Sequence, residues 1–474
     1  MSSAPRSPSS TQTLWQAWLD PSATYKYQGI YNAIAADIAN GRLQPGDPLP
    51  PQRVLAARLG VDLTTVTKAY GLARAEGLIE TRSGSGTCVA GVRETGSAAG
   101  AQPDVLDLSK NSPPRPDGQN INTLIAQEIS RAFAGPGYVS SFNYQETGGN
   151  LRNRLAGAAW LGTRLEQVEV EQLILTSGAQ SALFAICHLL SRQSKQLAVG
   201  QFCYPGIHTI ARQLDLQLIP IAMDADGLIP EHFERACQQH SLCALYVVPN
   251  IDNPTTATLP LARRQRLAHI AREYGVSLIE DDPYYEIAAT TQTALADLAP
   301  ELTWHIATLS KCATPALRLA YLVAPDIDGA QRAAATMQAM TMMVSPLFAE
   351  LASQWIHNGL LADMTRTIRE ENSARLQLAQ QAFEGLDFSV PAQGSHIWLP
   401  LPAPWQALDF AHQAERQHIR LLPASSFSPI PGRETREAVR ISLGAAENRS
   451  VLLEGLQKLR GILDQPQSFY HAMV

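Results

Sequence analysis

The sequence has few of the features that mark a secreted, membrane-bound or metal-binding protein. Its 474 residues include only six cysteines, and no two of them have the C-x-x-C spacing of zinc or thiol redox sites. No apolar run is long enough to span a membrane, and the N-terminus has no signal-peptide apolar region. We therefore expect a cytoplasmic protein from a reducing compartment, with neither disulfides nor a metal site.

Charged residues are also scarce, at 17% of the chain, whereas apolar residues reach 45%. This balance fits a globular protein, and the length predicts two or three domains rather than one core. The charge is uneven. Residues 25–93 hold eight Lys or Arg against five Asp or Glu, a net of +3, although the whole chain is −6. A small basic domain joined to a larger acidic one predicts an anionic partner for the first part only.

Residues 25–92 show three helical patterns followed by two short strands around Ser83-Gly84-Ser85-Gly86. The apolar positions that carry the helical periodicity are Ile30, Ile34 and Ile38 in the first helix, Val54, Leu55 and Leu59 in the second, and Val66, Ala69, Tyr70 and Ala73 in the third. Two helices, a short turn, a third helix and a two-stranded wing form the layout of a winged helix-turn-helix domain.

Polar residues of this predicted domain stand where winged helix-turn-helix proteins contact DNA: the start of the third helix, the first turn of the second, and the wing. Wing glycines would let the backbone approach a phosphate closely. The candidate DNA-binding residues are Arg53, Thr64, Thr65, Thr67, Lys68, Gly84, Ser85 and Gly86. The alternative is a three-helix domain used only for packing, and it does not explain why polar residues stand at these three places.

Two segments lack periodicity. Residues 1–24 begin rich in Ser and Pro and are predicted to be a disordered or short-helix N-terminus. Residues 93–104 are small and polar, and we interpret them as a linker. From residue 105 to about 465, predicted strands alternate with helices, which is typical of an α/β sheet domain.

Lys311 stands between small hydroxyl residues in the stretch S-K-C-A-T-P-A-L-R. A lysine whose pKa is lowered by its surroundings suits Schiff-base chemistry. The nearby Thr308 and Ser310 hydroxyls, with the guanidinium of Arg318, suit a phosphate group. For an isolated Ser-Lys pair, a solvated surface lysine is the competing interpretation, so the prediction depends on the rest of the chain.

Other short motifs follow predicted strands. Ser177 to Ser181 form a strand-turn-helix transition of the kind that binds anions. Glu280-Asp281-Asp282 come at the carboxyl end of a buried strand, where α/β sheets bind ligands. A metal site there is disfavoured, because no His or Cys accompanies the three acids. Arg440 lies on an otherwise apolar strand and needs an internal acid or an incoming carboxylate as its partner.

Two family resemblances connect these motifs. P-P-Q-R-V-L-A-A-R-L-G-V, then T-V-x-x-A-Y and E-G-L-I-x-x-R-x-G-S-G-T-x-V, are similar to the DNA-binding domain of the GntR family. The order G-A-Q, Y-P-G, N-P-T, E-D-D-P-Y, S-K-x-x-x-P-x-L-R and V-R-I-S resembles fold-type-I aminotransferases of the aminoadipate and kynurenine kind. The chain is therefore identified as a member of the MocR subfamily of GntR-type transcription regulators.

The resemblance implies pyridoxal 5'-phosphate as cofactor and a homodimer. It implies a Schiff base on Lys311 and an Asp281 partner for the pyridine nitrogen. Asn253 and Tyr284 would contact the ring's 3-oxygen, and Tyr204 would stack on the ring. The residues implied at the phosphate are Ala179, Gln180, Thr308, Ser310, Arg318 and, from the neighbouring subunit, Tyr144. Arg440 would hold the carboxylate of a substrate or effector.

The sequence departs from the family pattern at Thr256 and Ala316, where the family has glycine, and at Ala179, where it often has a hydroxyl. The resemblance implies a regulator that binds operator DNA and senses an amine, an amino acid or pyridoxal phosphate. A working aminotransferase with an appended DNA-binding domain remains open, because both functions use the same lysine. A large domain that only dimerises is disfavoured, because the site motifs are retained in order.

Overall fold

The computed structural model describes residues 15, 18–20, 23, 25–44, 46–82, 86–90, 105–115, 121–134, 143–290, 292–388, 393–430 and 436–464. Within it the chain divides into two compact units, residues 1–102 and 103–474. The residues predicted as a linker, 93–104, lie outside the described residues. Among the described residues, no helix is both long and apolar enough to cross a membrane.

The first unit contains three helices and a two-stranded antiparallel wing. Its elements are α1 (Lys26–Ala39), α2 (Gln52–Leu59), α3 (Leu63–Ala75), β1 (Ile79–Arg82) and β2 (Gly86–Val89). Gly60, in the left-handed region at φ 63°, ends α2, a conformation that glycine adopts without steric cost. The predicted apolar positions of α3 are all fully buried: Val66, Ala69, Tyr70 and Ala73. The winged helix-turn-helix layout is therefore present.

One predicted core position of α2 is wrong. Val54 is 41% exposed, whereas Leu55 is fully buried and Leu59 packs against the same core. Leu55 and Leu59 are four residues apart and share a face, and Val54 points about 100° away from Leu55 around the helix. The periodicity of a short helix did not distinguish these neighbouring apolar residues.

The N-terminal segment packs on α1 where the structure describes it. The indole N–H groups of Trp15 and Trp18 donate to the Asp37 carboxylate, at 2.8 and 3.1 Å. Arg42 forms an ion pair with the same carboxylate at 2.8 Å. Residues 1–14, 16–17, 21–22 and 24 lie outside the described part of the chain.

The second unit alternates strands and helices, as predicted. Its strands are β3 (Leu106–Asp107), β4 (Leu173–Thr176), β5 (Gln196–Gly200), β6 (Gln217–Ile221), β7 (Met223–Asp224), β8 (Gly227–Leu228), β9 (Leu242–Val247), β10 (Ser277–Asp281), β11 (Thr303–Thr308), β12 (Ala320–Val323), β13 (His396–Pro400), β14 (Ile419–Arg420), β15 (Leu422–Pro423) and β16 (Ala438–Ser442). Its helices are α4 (Ile121–Ala134), α5 (Leu151–Leu161), α6 (Ala179–Leu190), α7 (Pro205–Leu214), α8 (Pro230–Gln239), α9 (Leu261–Tyr274), α10 (Leu295–Leu298), α11 (Ile327–Thr341), α12 (Pro346–His357), α13 (Leu360–Ala382), α14 (Ala407–Arg416) and α15 (Arg449–Leu463).

A seven-stranded sheet organises this unit, in the order β4-β12-β11-β10-β9-β5-β6. β12 runs antiparallel to both of its neighbours, and the pairs from β11 to β6 are parallel. β9 and β11 are buried along their whole length, and β10 is buried except at Ser277, as expected for a sheet covered on both faces. The carboxyl ends of β4, β9, β10 and β11 therefore meet at one edge of the sheet.

A smaller antiparallel sheet, β13-β16-β15, completes the second unit with its own core under α13 and α15. β3, just after the predicted linker, pairs with β14. The helix after the Ser177 turn begins at Ala179, and three successive helices, α11 to α13, cover most of the chain from Ile327 to Ala382.

Candidate cofactor site and DNA-binding surface

A cavity of about 560 Å³ lies at the carboxyl edge of the large sheet. This volume is typical of small-molecule sites. The residues predicted from sequence that line it are Ala179, Gln180, Tyr204, Asn253, Asp281, Tyr284, Thr308, Ser310, Lys311, Arg318 and Arg440. The structure therefore brings together side chains that are separated by more than 250 residues of sequence. Tyr144, also predicted for this site, does not line the cavity.

Asp281, the last residue of β10, is buried with one satisfied and one unsatisfied oxygen. Tyr246 of β9 donates its hydroxyl to Asp281 Oδ2 at 2.9 Å. Oδ1 has no hydrogen-bond partner among the described residues. Burial raises the pKa of Asp281 to about 6, against the lowering effect of the Tyr246 hydrogen bond. A buried carboxylate with a free oxygen fits the N–H of a protonated pyridine ring.

The three consecutive acids at the end of β10 have three different environments. Glu280 accepts from the Leu295 and Ala296 N–H groups and lies 2.8 Å from His305 Nδ1. Both Asp282 oxygens lie 3.0 Å from Asn250 Nδ2. Because side chains alternate along a strand, only Asp281 faces the cavity, which explains why these acids do not act together.

Lys311 follows β11 and reaches into the cavity, where its Nζ donates to the backbone carbonyl of Asn111. Burial lowers the pKa of Lys311 from 10.5 to about 8, with a further contribution from the positive charge of Arg440. At pH 7 this increases the neutral amine fraction by more than about a hundredfold over an ordinary lysine. A neutral amine is the form that attacks an aldehyde.

The N-terminus of α6 and the Arg318 side chain form the anion-binding end of the cavity. Gly178 precedes the helix at φ 91°, and a Cβ placed there would lie 3.1 Å from Arg318 Nη2. Glycine suits this position, because the left-handed φ disfavours other residues and an added Cβ would crowd the guanidinium. The Thr308 and Ser310 hydroxyl oxygens lie 3.0 Å apart beside it. Helix N–H groups, hydroxyls and a guanidinium together fit a phosphate.

Arg440, on β16, is 3% exposed and has only neutral hydrogen-bond partners among the described residues. Its Nη1 donates to Asn253 Oδ1 at 3.0 Å, and its Nη2 donates to the Ser109 carbonyl. Burial lowers the pKa of Arg440 to about 10. The sequence left open an internal acid or an incoming carboxylate, and no described acid pairs with this arginine. A buried cation without a counter-ion favours a carboxylate ligand.

Asn111, Tyr246 and His396 are site residues that the sequence analysis missed. Asn111 Nδ2 lies 2.8 Å from Tyr284 Oη and 3.1 Å from His396 Nδ1, and Asn111 Oδ1 accepts from Ser395 Oγ at 2.8 Å. His396 Nε2 lies 3.2 Å from the Asp252 carbonyl. Because a carbonyl only accepts, Nε2 carries the proton and Nδ1 accepts from Asn111. Burial lowers the pKa of His396 to about 3, so the ring stays neutral.

One departure from the family pattern has a visible geometry. Thr256, which replaces a glycine, has φ 65° in the left-handed region. Threonine is β-branched and adopts this region at a steric cost, so the surrounding turn must hold it there. In the same turn, the Asn253–Pro254 peptide is cis. Tyr144 is 82% exposed in the single chain, which leaves its side chain accessible to a second subunit.

The predicted DNA-binding residues on α2 and α3 lie at the surface of the first unit. Arg53, Thr64, Thr67 and Lys68 are exposed, and Thr65 is half-buried. Lys68 Nζ lies 4.0 Å from the centre of the Tyr27 ring, a cation–π contact that restrains the ammonium. Thr67 Oγ1 lies 2.8 Å from Gln52 Oε1 and connects the two helices. Gly86, at φ 82°, begins the second wing strand, and Gly84 and Ser85 lie outside the described residues.

Comparisons with known proteins agree with both units. Residues 26–89 match the family described as bacterial regulatory proteins, gntR family, and residues 103–459 match aminotransferase class I and II. An uncharacterized HTH-type transcriptional regulator of Bacillus subtilis, YdeF, is 29% identical over 95% of this chain and 97% of its own length. The pyridoxine biosynthesis regulator PdxR of Corynebacterium glutamicum is 28% identical, over 74% of this chain and 77% of its own.

Solved aminotransferase structures share the fold of the second unit. Kynurenine aminotransferase of Pyrococcus horikoshii superimposes with a TM-score of 0.69 at 21% identity, covering 76% of this chain and 91% of its own. The α-aminoadipate aminotransferase LysN of Thermus thermophilus also gives 0.69, at 22% identity, over 78% and 94%. At these identities the likeness is one of fold.

The second unit therefore has the fold of the class I and II aminotransferases, whose cofactor is pyridoxal 5'-phosphate, and its cavity fits that group. The chain belongs to this family and carries a GntR-type winged helix-turn-helix domain before it. This combination is the architecture of the MocR subfamily of GntR-type transcription regulators, which confirms the identification made from the sequence motifs.

Proposed function

We propose that this protein is a DNA-binding transcription regulator whose aminotransferase-like unit senses an amine or amino acid through pyridoxal phosphate held on Lys311. One observation carries the proposal: an exposed polar helix-turn-helix surface is joined in one chain to a fully assembled cofactor cavity. When bound, the cofactor supplies an aldehyde carbon with which primary amines exchange. Because the same chain carries a DNA-binding unit, this exchange can regulate DNA binding rather than serve a metabolic reaction.

Each role in the cavity follows from the contacts of the residue that performs it. Lys311 offers a neutral amine because burial lowers its pKa to about 8. Asp281, with its unsatisfied Oδ1, would keep a pyridine nitrogen protonated, and Tyr246 fixes its orientation. Arg318 and the start of α6 would bind phosphate. Tyr284 receives a hydrogen bond from Asn111, which leaves its own hydroxyl proton free to donate to the ring's 3-oxygen.

Arg440 gives the site a preference for ligands with a carboxylate. The guanidinium is buried and is bonded only to neutral oxygens among the described residues. An amino acid could place its amine at Lys311 and its carboxylate at Arg440, whereas a simple amine would use only the first position. We therefore propose an amino-acid effector. Binding can alter affinity for DNA only if the effector binds one conformation more tightly than another.

We also propose a homodimer that binds operator DNA in the cytoplasm. Tyr144 supports the dimer, because its side chain is 82% exposed although it occupies the family position that reaches a neighbouring phosphate. Exposed apolar side chains at Leu151, Leu155 and Met342 offer surface for the same contact.

A working aminotransferase is the second candidate function. It is favoured by the same observation, because Lys311, Asp281 and Arg440 are the groups that turnover would need. Incubating the loaded protein with an amino acid and a 2-oxo acid distinguishes the two. The proposal expects DNA affinity to change by about tenfold or more with the amino acid alone and little conversion to the new amino acid. Rapid conversion with no change in DNA affinity would instead support the enzyme.

A further inference from the structure

All four residues of the segment Ser109–Ser112, here called the strap, line the cofactor cavity. It follows β3 and is only half-buried, yet it contacts both cations of the site. The Asn111 carbonyl accepts from Lys311 Nζ, and the Ser109 carbonyl accepts from Arg440 Nη2. Two backbone carbonyls of one short segment thus occupy the two groups to which an amino acid would bind.

The Asn111 side chain fixes the strap in this position. Its amide nitrogen contacts Tyr284 and His396, and its amide oxygen contacts the hydroxyls of Ser395 and Ser442. All the hydrogen-bonding capacity of one side chain is therefore used on partners that lie between 173 and 331 residues away in sequence. Surface loops rarely hold a side chain in this way.

The backbone of the strap is bound to the small sheet as well. The Ser442 N–H of β16 donates to the Leu108 carbonyl at 3.0 Å, just before the strap begins. A Cβ at Gly444 would collide with the Ser112 carbonyl, so glycine at this position permits the close approach. The side chain of Lys110, by contrast, is 76% exposed and is paired only with Asp107.

The hydrogen bond between Ser109 and Arg440 is the strap contact that a ligand carboxylate can replace. A neutral carbonyl is a poorer acceptor for a guanidinium than a carboxylate, because the carboxylate carries the opposite charge and can accept two parallel N–H groups. A carboxylate that enters the cavity competes for the same Nη atoms. An amine that lacks a carboxylate offers nothing to Arg440 and leaves this contact in place.

The strap is also close in sequence to the DNA-binding unit. β3, at Leu106–Asp107, directly precedes the strap, and the last strand of the DNA-binding unit, β2, ends at Val89.

We propose that the strap is an intramolecular ligand of the cavity, latched by Asn111, that the carboxylate of an amino-acid effector displaces it from Arg440, and that DNA affinity responds to this displacement. This inference rests on the proposed function and assigns its regulatory step. It predicts that the effector class is amino acids rather than amines.

Hydrogen exchange of full-length, cofactor-loaded protein, followed by mass spectrometry of peptides that cover residues 105–115, tests the proposal. The probes are L-alanine, β-alanine and L-lysine, with ethylamine and 1,5-diaminopentane as counterparts without a carboxylate. An amino acid that changes the cofactor absorbance should speed exchange in the strap by about tenfold or more. The matching amine should change the absorbance and leave strap exchange within about twofold.

The variant Asn111→Ala is compared with Lys458→Ala, which changes an exposed side chain of α15 outside the cavity lining. Asn111→Ala should speed strap exchange about 30-fold without any probe, equivalent to about 2 kcal/mol at 1.4 kcal/mol per tenfold. Its DNA affinity should no longer respond to the amino acid. Lys458→Ala should behave as the wild type. Should Asn111→Ala fold poorly, Ser395→Ala removes one hydrogen bond of the latch and should give a smaller change in the same direction.

The outcomes separate the two proposals. If no probe changes either absorbance or DNA affinity, the proposed function fails, and the strap inference fails with it. If an amino acid changes both while strap exchange stays constant, or if amines release the strap equally well, only the strap inference is overturned.

Discussion

The pH dependence of cofactor capture measures the environment of Lys311. The pKa of about 8 means that roughly a tenth of the amine is neutral at pH 7 and roughly nine tenths at pH 9. The rate at which the unloaded protein captures pyridoxal phosphate should therefore rise only about tenfold over this range. A lysine with the ordinary pKa of 10.5 would gain about a hundredfold and continue to rise. The range begins at pH 7 because Asp281 itself titrates near 6.

Stopped-flow absorbance with unloaded protein and free cofactor gives these rates. The amide of Nα-acetyl-lysine is the control, because dividing by its rate removes the ionisations of the cofactor. The variant Arg440→Gln removes a positive charge that lowers the Lys311 pKa, so its plateau should move to higher pH. If protein and control amine had parallel profiles up to pH 9, Lys311 would have an ordinary pKa, and the argument from burial would be refuted.

Three further predictions concern DNA binding, Asp281 and the α2 core. Lys68→Ala should weaken operator binding and lower the slope of log affinity against log salt concentration by about 1. The control Lys458→Ala, on the second unit, should change neither quantity. Equal losses of affinity in both variants would contradict the assigned DNA-binding surface. Folding raises the Asp281 pKa from 3.8 to about 6, so its protonated form stabilises the fold at low pH, and that contribution is lost as pH rises towards 6. Thermal unfolding of unloaded wild type against Asp281→Asn should show this loss, on the order of 2–3 kcal/mol, and a constant difference between pH 4 and 7 would exclude it. Leu55→Ala should lower the free energy of unfolding of the DNA-binding unit by about 2–5 kcal/mol, and Val54→Ala by about 0.5 kcal/mol or less. Calorimetry measures both changes. A larger effect of Val54→Ala would instead place Val54 on the buried face of α2.

The sequence predicted the fold and most of the cavity because parallel strands carry their ligand-binding residues at one edge. Asp281 ends β10, Thr308 ends β11, and Ala179 begins the helix after β4. Each motif is local, and the topology of the sheet brings them together without further information. The winged helix-turn-helix domain was predictable for the same reason. Its helix periodicity and its turn residues are signals that lie within short stretches of sequence.

The missed residues act through contacts that local patterns do not encode. Asn111 lies in a segment without periodicity, and its partner His396 is 285 residues away. In the sequence, Tyr246 is one residue of an apolar strand and has no distinguishing pattern. Its hydroxyl can donate to Asp281 only because of the register in which β9 pairs with β10. Val54 shows that helical periodicity is also limited within a short element. In the eight-residue helix α2, Val54 and Leu55 are adjacent and both apolar, so the pattern does not identify the buried face.

The central claim is that Lys311 holds pyridoxal phosphate in a chain that also binds DNA, and absorbance spectroscopy of the purified protein tests it most directly. Wild-type protein and Lys458→Ala should show the visible band of a lysine-bound cofactor, and the spectrum should change when an amino-acid effector is added. Lys311→Ala should lose that band while keeping its affinity for operator DNA in the absence of effector. A wild-type protein that stays colourless after incubation with pyridoxal phosphate would contradict the account.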